Sequence, residues 1–206
     1  MVIGQRYTTI LDAAAEVFAR HGYHAASIRE ITRAARLSLA GLYHYVGGKQ
    51  ELLFLVLDRG LDTLLDMLAH ALSEARTPET RLLALVRTHL EFGYAHPSAL
   101  RVINRDWEML ALPQRGEIAA KRRAYIEQGL GVLAALDPHD RPGEELYSAT
   151  NLLLGMLNGI ASGPFVRSRD DARALAAQVG ALFLYGFLER ASAPEAVGAV
   201  GDPHDA

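Results

Sequence analysis

SIREITRAARLSLAGLYHYVGGK, residues 27–49, reads as two short helices joined by a tight turn, with a third helix starting directly behind them. Ser27 has the hydroxyl to cap a helix beginning at Ile28, and Glu30 at its third position completes a capping box. Ile28, Ile31, Ala34 and Ala35 form one apolar stripe, which leaves Arg29, Arg33 and Arg36 near the polar side. Leu37 breaks that register, and Ser38 stands where it caps a second helix, Leu39 to Tyr45. This is the spacing of a helix-turn-helix, in which the second helix lies in the DNA major groove and the first crosses the backbone. Candidate DNA contacts are Ser27, Arg29, Ser38, Leu39, Ala40, Gly41, Tyr43, His44 and Lys49. Gly41 permits close approach, and the polar-tipped rings of Tyr43 and His44 suit phosphates more than base edges. Lys49, opening the next helix, has the reach for a phosphate. The same shape also occurs in proteins that never touch DNA.

The chain has 206 residues, half of them hydrophobic, enough for a substantial core in one or two domains. It has no cysteine, which excludes disulfides, thiolate metal sites and cysteine catalysis, and fits a reducing cytoplasm. The first residues lack a signal-peptide pattern. The most apolar window, 147–166, contains Asn151, Asn158 and several Ser and Gly residues, so it reads as a packed helix and no membrane partner is expected. The net charge is −3, unevenly spread. Residues 1–50 hold six basic and three acidic side chains, or +3; the remainder holds 15 and 21, or −6. The basic end carries the helix-turn-helix, as expected if one domain faces phosphates.

Every other segment has helical periodicity, so the fold expected is all-α with about nine helices. Residues 5–21 form an amphipathic helix ending at Gly22. A long helix runs from Gly48 or Lys49 to about Glu74, so that motion at its far end reaches the DNA-reading helix. Thr77 caps the next, Pro78 to Ala95. Further helices span Pro97 to Leu110, Gln114 to Leu136, Glu144 to Ser162 and Asp170 to Arg190. The division expected is a three-helix DNA-binding domain at 1–50, a ligand-binding and dimerisation domain at 51–191, and a flexible tail at 192–206.

The N-terminal segment resembles the TetR family of bacterial transcriptional regulators. The resemblance rests on Ala14, Phe18, Gly22, Tyr23, Ser27, Ile28, Ile31, Ala34, Ala35, Ser38, Leu42, Tyr43, Tyr45, Lys49, Leu52 and Leu53. Two departures stand out: Leu39, where the family often has a polar or basic residue, and Val46-Gly47-Gly48, where it has Phe and a polar or proline turn. Leu39 has no hydrogen-bonding group, so in the groove it would meet a thymine methyl. The resemblance implies a homodimer on a palindromic operator, built from the last two helices. Leu152, Leu153, Met156, Leu157 and Ile160 on one, with Leu175, Val179, Leu182, Phe183, Tyr185, Gly186 and Phe187 on the other, fit that role.

It also implies an effector cavity in the second domain. Candidate lining residues are Leu64, Met67, Leu68, Tyr94, Ile103, Trp107, Leu110, Arg122, Tyr125, Met156 and Phe165, although such residues at helical spacing also serve as plain core. ALRVINRDWEMLALPQRGEIAAKRRAYIEQ, residues 99–128, is similar to a TetR subgroup that answers to acyl-CoA thioesters of lipid, steroid-ring and aromatic-acid catabolism. Guanidinium groups among Arg101, Arg105, Arg115, Arg122 and Arg123, with Lys121, suit the phosphates of such a ligand. They equally suit a solvated face paired with Asp106, Glu108 and Glu117. Eight histidines fall in no metal-binding spacing, and no Gly-rich phosphate loop is present, so no enzyme, metal or cofactor is expected. The reading is therefore a ligand-released repressor. A ligand-responsive activator or constitutive architectural DNA binder, an efflux-type regulator of apolar or aromatic molecules, and a helical interaction protein that has lost DNA binding are the alternatives.

Overall fold

The computed structural model describes residues 3–188, with side chains for 4–186; the expected tail at 192–206, Phe187 and Arg190 lie outside the residues so described. Among these residues there is helix and no strand. The helices are α1 (Ile3–Ala25), α2 (Ile28–Ala34), α3 (Leu39–Tyr43), α4 (Lys49–Glu74), α5 (Pro78–Ala95), α6 (Pro97–Arg105), α7 (Gln114–Leu136), α8 (Gly143–Ser162) and α9 (Arg169–Leu188), with a 3-10 turn at Trp107–Met109.

The caps form where the sequence places them. Ser27 Oγ accepts from the Glu30 amide at 3.2 Å while the Glu30 carboxylate accepts from the Ser27 amide at 3.0 Å. Hydrogen bonds from Ser27 hold the Glu30 carboxyl below its ordinary range. Ser38 Oγ accepts from the Gly41 amide at 3.0 Å. Between the two helices Arg36 takes φ +53°, and the Arg36 and Leu37 amides return to the carbonyls of Arg33 and Thr32. That is a Schellman closure with arginine at the left-handed position.

Three expectations change. α1 does not end at Gly22 but resumes for one more turn to Ala25, with Gly22 at φ +78° as the break. α3 stops at Tyr43, two residues early. α6 stops at Arg105, because Asp106 and the 3-10 turn at Trp107–Met109 redirect the chain.

The buried side chains of the described residues form one continuous cluster, from Ile10 to Val179. α1 packs on α2, α4 and α6, while α5 lies centrally against α4, α7, α8 and α9. Gly93 permits the α5–α8 approach, since a Cβ there would stand 2.6 Å from that of Ala161. α8 and α9 each bury one face: Leu153, Leu154 and Leu157, and Ala172, Ala176 and Val179. Their outer faces leave Leu152 72%, Leu182 70% and Tyr185 68% exposed. No helix among the described residues is long and apolar enough to cross a membrane.

Gly22→Ala forces an L side chain into a left-handed conformation and should lower stability by about 1–3 kcal/mol. Gly131→Ala, on an open helix surface, should raise it by roughly 0.5–1 kcal/mol. Urea titrations of both variants beside the parent protein check the pair.

Candidate functional site: a reading head and a polar cavity

α3 is anchored by Leu42, which is fully buried, so its neighbours on the helix face outward. Leu39, Ala40, Tyr43 and His44 are exposed there, with Arg29, Arg33 and Arg36 exposed on α2 and the turn. Ser38 and Ser27 spend their hydroxyls on helix caps. A Cβ on Gly41 would stand 3.1 Å from Ser38 Oγ, so the glycine makes room for that cap. Lys49 Nζ donates to the His24 carbonyl at 3.1 Å and lies 4.5 Å from the centre of the Tyr23 ring. Its charge thus sits at the negative end of α1. The outer face of α3 carries no bidentate amide or guanidinium. Its chemistry is apolar contact from Leu39 and Ala40 and hydroxyl or imidazole contact from Tyr43 and His44.

In the body, a cavity of about 200 Å³ lies between α4, α5, α6, α7 and α8. Leu61, Leu64, Leu100, Ile103, Ile126 and Leu154 make its apolar wall. Its polar wall is His89, Asn104, Arg122, Tyr125, Asn151 and Asn158. Tyr125 Oη lies 2.8 Å from His89 Nδ1, His89 Nε2 lies 3.2 Å from Asn158 Oδ1, and Asn104 donates to the same oxygen at 2.8 Å. Because Asn158 Oδ1 only accepts, His89 carries its proton on Nε2 and takes the Tyr125 hydroxyl proton on Nδ1. Burial pushes the His89 pKa down to about 4, against the Asn158 hydrogen bond, and pushes the Tyr125 phenol up. Both side chains are therefore neutral at pH 7.

Arg122 differs. It donates to the Ile103 carbonyl at 2.7 Å and its guanidinium carbon lies 4.9 Å from the Trp107 ring centre. Burial lowers its pKa, with Glu108 opposing weakly, and among the described residues no carboxylate pairs with it.

Head and cavity are joined by polar contacts. Gln50, in the first turn of α4, donates to Tyr23 Oη at 2.8 Å and to the Met109 carbonyl at 2.9 Å, and accepts from the Ala111 amide at 3.2 Å. Met109 Sδ lies 3.1 Å from His24 Nε2. Arg105 donates to the Phe18 carbonyl at 2.5 Å and is held by Asp106. Lys121 of α7 bridges Asp58 and Asp62 of α4 at 2.5 Å each. Burial opposes its charge, but the two carboxylates outweigh it and raise its pKa.

Of the expected lining residues, Leu64, Ile103, Arg122 and Tyr125 meet at this cavity. Trp107 stands behind it, against Arg122. Leu68 and Leu110 are core, and Met67 faces a surface groove between α4 and α5. Tyr94, Met156 and Phe165 are exposed and do not line it. Among the expected cations, Arg105 and Lys121 are engaged in ion pairs, whereas Arg101, Arg115 and Arg123 are exposed. Sequence reasoning missed His89, Asn104, Asn151 and Asn158. The available signal was His89 on the buried face of α5, beside Leu82, Leu85 and Phe92, where a polar group needs a partner. A larger groove, about 620 Å³, runs between α1 and α4 and is crossed by the Asp12–Arg59 ion pair.

A helix-turn-helix head joined by one long helix to an all-helical body with a cavity between its helices is the build of a ligand-responsive transcriptional regulator. Residues 10–56 match the bacterial regulatory proteins of the tetR family, and residues 75–162 match the tetracyclin repressor-like C-terminal domain. The transcriptional activator FasR of Mycolicibacterium smegmatis is 38% identical over 153 residues, 74% of this chain and 68% of FasR. The regulator HbdR of Aromatoleum sp. is 30% identical over 128 residues, 62% of this chain and about half, 52%, of HbdR. A TetR-family regulator from Bordetella parapertussis superposes with a TM-score of 0.82 at 31% identity, over 91% of this chain and 98% of that one. AibR, solved with isovaleryl coenzyme A and operator DNA, superposes at 0.72 with 24% identity, over 89% and 97%. The chain belongs to the TetR family, and is a transcriptional regulator rather than an enzyme.

The neutral His89 makes folding pH-dependent. Its folded pKa of about 4 lies below the unfolded value near 6.5, so the unfolded chain binds the extra proton between them. Stability should be full above pH 6.5 and fall by roughly 3 kcal/mol towards pH 4 from this residue. His89→Gln should remove most of that slope, read from urea midpoints at pH 7 and pH 4.5.

Proposed function

We propose that the chain is a homodimeric repressor that binds a palindromic operator and releases it when a small molecule, an acyl-CoA thioester, fills the cavity between α4 and α8. The observation that carries this reading is the join between reader and cavity: Arg122 in the cavity wall stacks on Trp107, whose turn holds Gln50 and Tyr23 of the head. An occupant that displaces Arg122 or Ile103 would move the turn and α6, and with them α1 and α4. The effector must favour the state that fits DNA poorly; equal affinity for both states would shift nothing.

In this reading residues 1–50 form the DNA-binding domain and 51–191 the sensing and pairing domain. Arg29, Leu39, Ala40, Tyr43 and His44 contact DNA directly. Ser27, Ser38 and Gly41 set the helix ends, and Lys49 ties the head to α4. Leu152, Met156, Leu182 and Tyr185 supply the apolar face on which a second copy pairs, since a patch of this kind is unusual on a monomer. Arg101 and Arg123, exposed on the helices that carry Asn104 and Arg122, supply cations for coenzyme A phosphates. AibR, of the same fold, was solved with an acyl-CoA and its operator. FasR is named as an activator, which favours activation as the second reading.

A gel shift on DNA upstream of the chain's own gene should show a complex that weakens steeply with salt. No shift at low salt would refute operator binding. Tyr43→Ala should weaken the complex about tenfold with an unchanged melting temperature. Leu182→Glu should yield a monomer by light scattering and lose at least tenfold in operator affinity, because each copy then binds one half-site. A dimeric Leu182→Glu protein would rule out the α8–α9 face.

A further inference from the structure

We infer that the cavity takes a compact carboxylate, a small acyl or aromatic body whose anionic end pairs with Arg122. This rests on the reading of the cavity as the effector site.

Charge decides the anionic end. No Asp or Glu lines the cavity, and Tyr125, His89, Asn104, Asn151 and Asn158 present only neutral polar groups. Arg122 is thus the single charge in the wall. It is half-buried, and its partners are a backbone carbonyl and the face of an indole. Glu108 acts on this charge without forming an ion pair, so a partly desolvated cation remains, and an anion entering beside it recovers attraction that water no longer supplies. The planar guanidinium has further N–H groups for a two-pronged contact with carboxylate oxygens. The amides of Asn104, Asn151 and Asn158 suit a hydroxyl or carbonyl on the same ligand.

Volume decides the compact body. At protein packing density, about 200 Å³ holds about 150 Å³ of ligand, on the order of ten non-hydrogen atoms. Sites for drug-sized molecules start near ~300 Å³. A benzoate or a six-carbon acid fits whole; of an eighteen-carbon chain only a part does, the rest lying outside the open side of the cavity. The same carboxylate chemistry has two sources, a free acid or the far end of a dicarboxylic acyl thioester whose coenzyme A lies outside.

Trp107 is the only tryptophan in the chain and lies against Arg122, so its fluorescence reports the site directly. The full-length protein is titrated with benzoate, cyclohexanecarboxylate and hexanoate, with their amides, with glutaryl-CoA and hexanoyl-CoA, and with stearoyl-CoA. At least one carboxylate or glutaryl-CoA should change the emission and bind at least tenfold tighter than the counterpart that lacks the terminal carboxylate, the amide or hexanoyl-CoA. Arg122→Gln should abolish that preference while Arg122→Lys retains part of it. Binding of glutaryl-CoA alone assigns the thioester source, and of the acids alone the free one. Equal affinity for partners with and without the terminal carboxylate, no binding by any carboxylate, or tighter binding of stearoyl-CoA overturns the inference, and needs no variant to be seen. Operator release is scored separately. A carboxylate that binds beside Trp107 but leaves the DNA complex intact sinks the effector reading and spares this one. Release by hexanoyl-CoA from both parent and Arg122→Gln protein does the reverse.

Discussion

One apolar stripe on α4 belongs to the head and the body at once. Leu52, Leu53, Val56, Leu57, Leu61, Leu64 and Leu68 are all buried to within 2% of full coverage, each worth about 1.5–3 kcal/mol on removal from water. Polar contacts then fix the helix along its length: Gln50 and Arg59 to α1, Asp58 and Asp62 to α7, and the Leu72 carbonyl to Arg81 of α5. A helix gripped in this way cannot bend locally without breaking packing, so it moves as a unit or not at all. The head therefore has no orientation independent of the body. In the proposed function this is what makes a distant cavity relevant to how α3 would meet DNA.

The cavity wall departs from the apolar norm of the core around it. Tyr125, His89, Asn158 and Asn104 satisfy one another in a chain, which removes the desolvation penalty that unpaired groups would carry. Arg122 stands at the edge of this chain with its charge only partly compensated, and it is the residue that touches the turn leading to the head. The least satisfied group in the wall is thus also the one in contact with that turn.

Local chemistry made most of the fold legible in the sequence. Ser27 with Glu30, Ser38, and Thr77 before Pro78 each mark a helix start that the structure keeps, because a cap depends only on neighbouring residues. The ends were harder. α6 stops at Arg105 where Arg105, held by Asp106, reaches back to the Phe18 carbonyl of α1, a tertiary demand that periodicity does not carry. The cavity was partly legible: Ile103, Arg122 and Tyr125 stood out by type. His89 and the three asparagines did not, since an isolated histidine or amide on a helix reads as ordinary until its partners, 36 and 69 residues away for His89, are known. Met156 and Phe165 have the composition of pocket residues but lie on outward faces.

The Gln50 contacts have a consequence for how such a protein diverges. The amide holds the 3-10 segment through the Met109 carbonyl and the Ala111 N–H, groups that every residue type at those positions would offer, Ala111 aside from proline. The Gln50 latch does not depend on which side chains that segment carries. A lineage could replace Trp107 or its neighbours to suit a different effector while the head remained latched in the same place, so that sensing and reading could evolve at different rates.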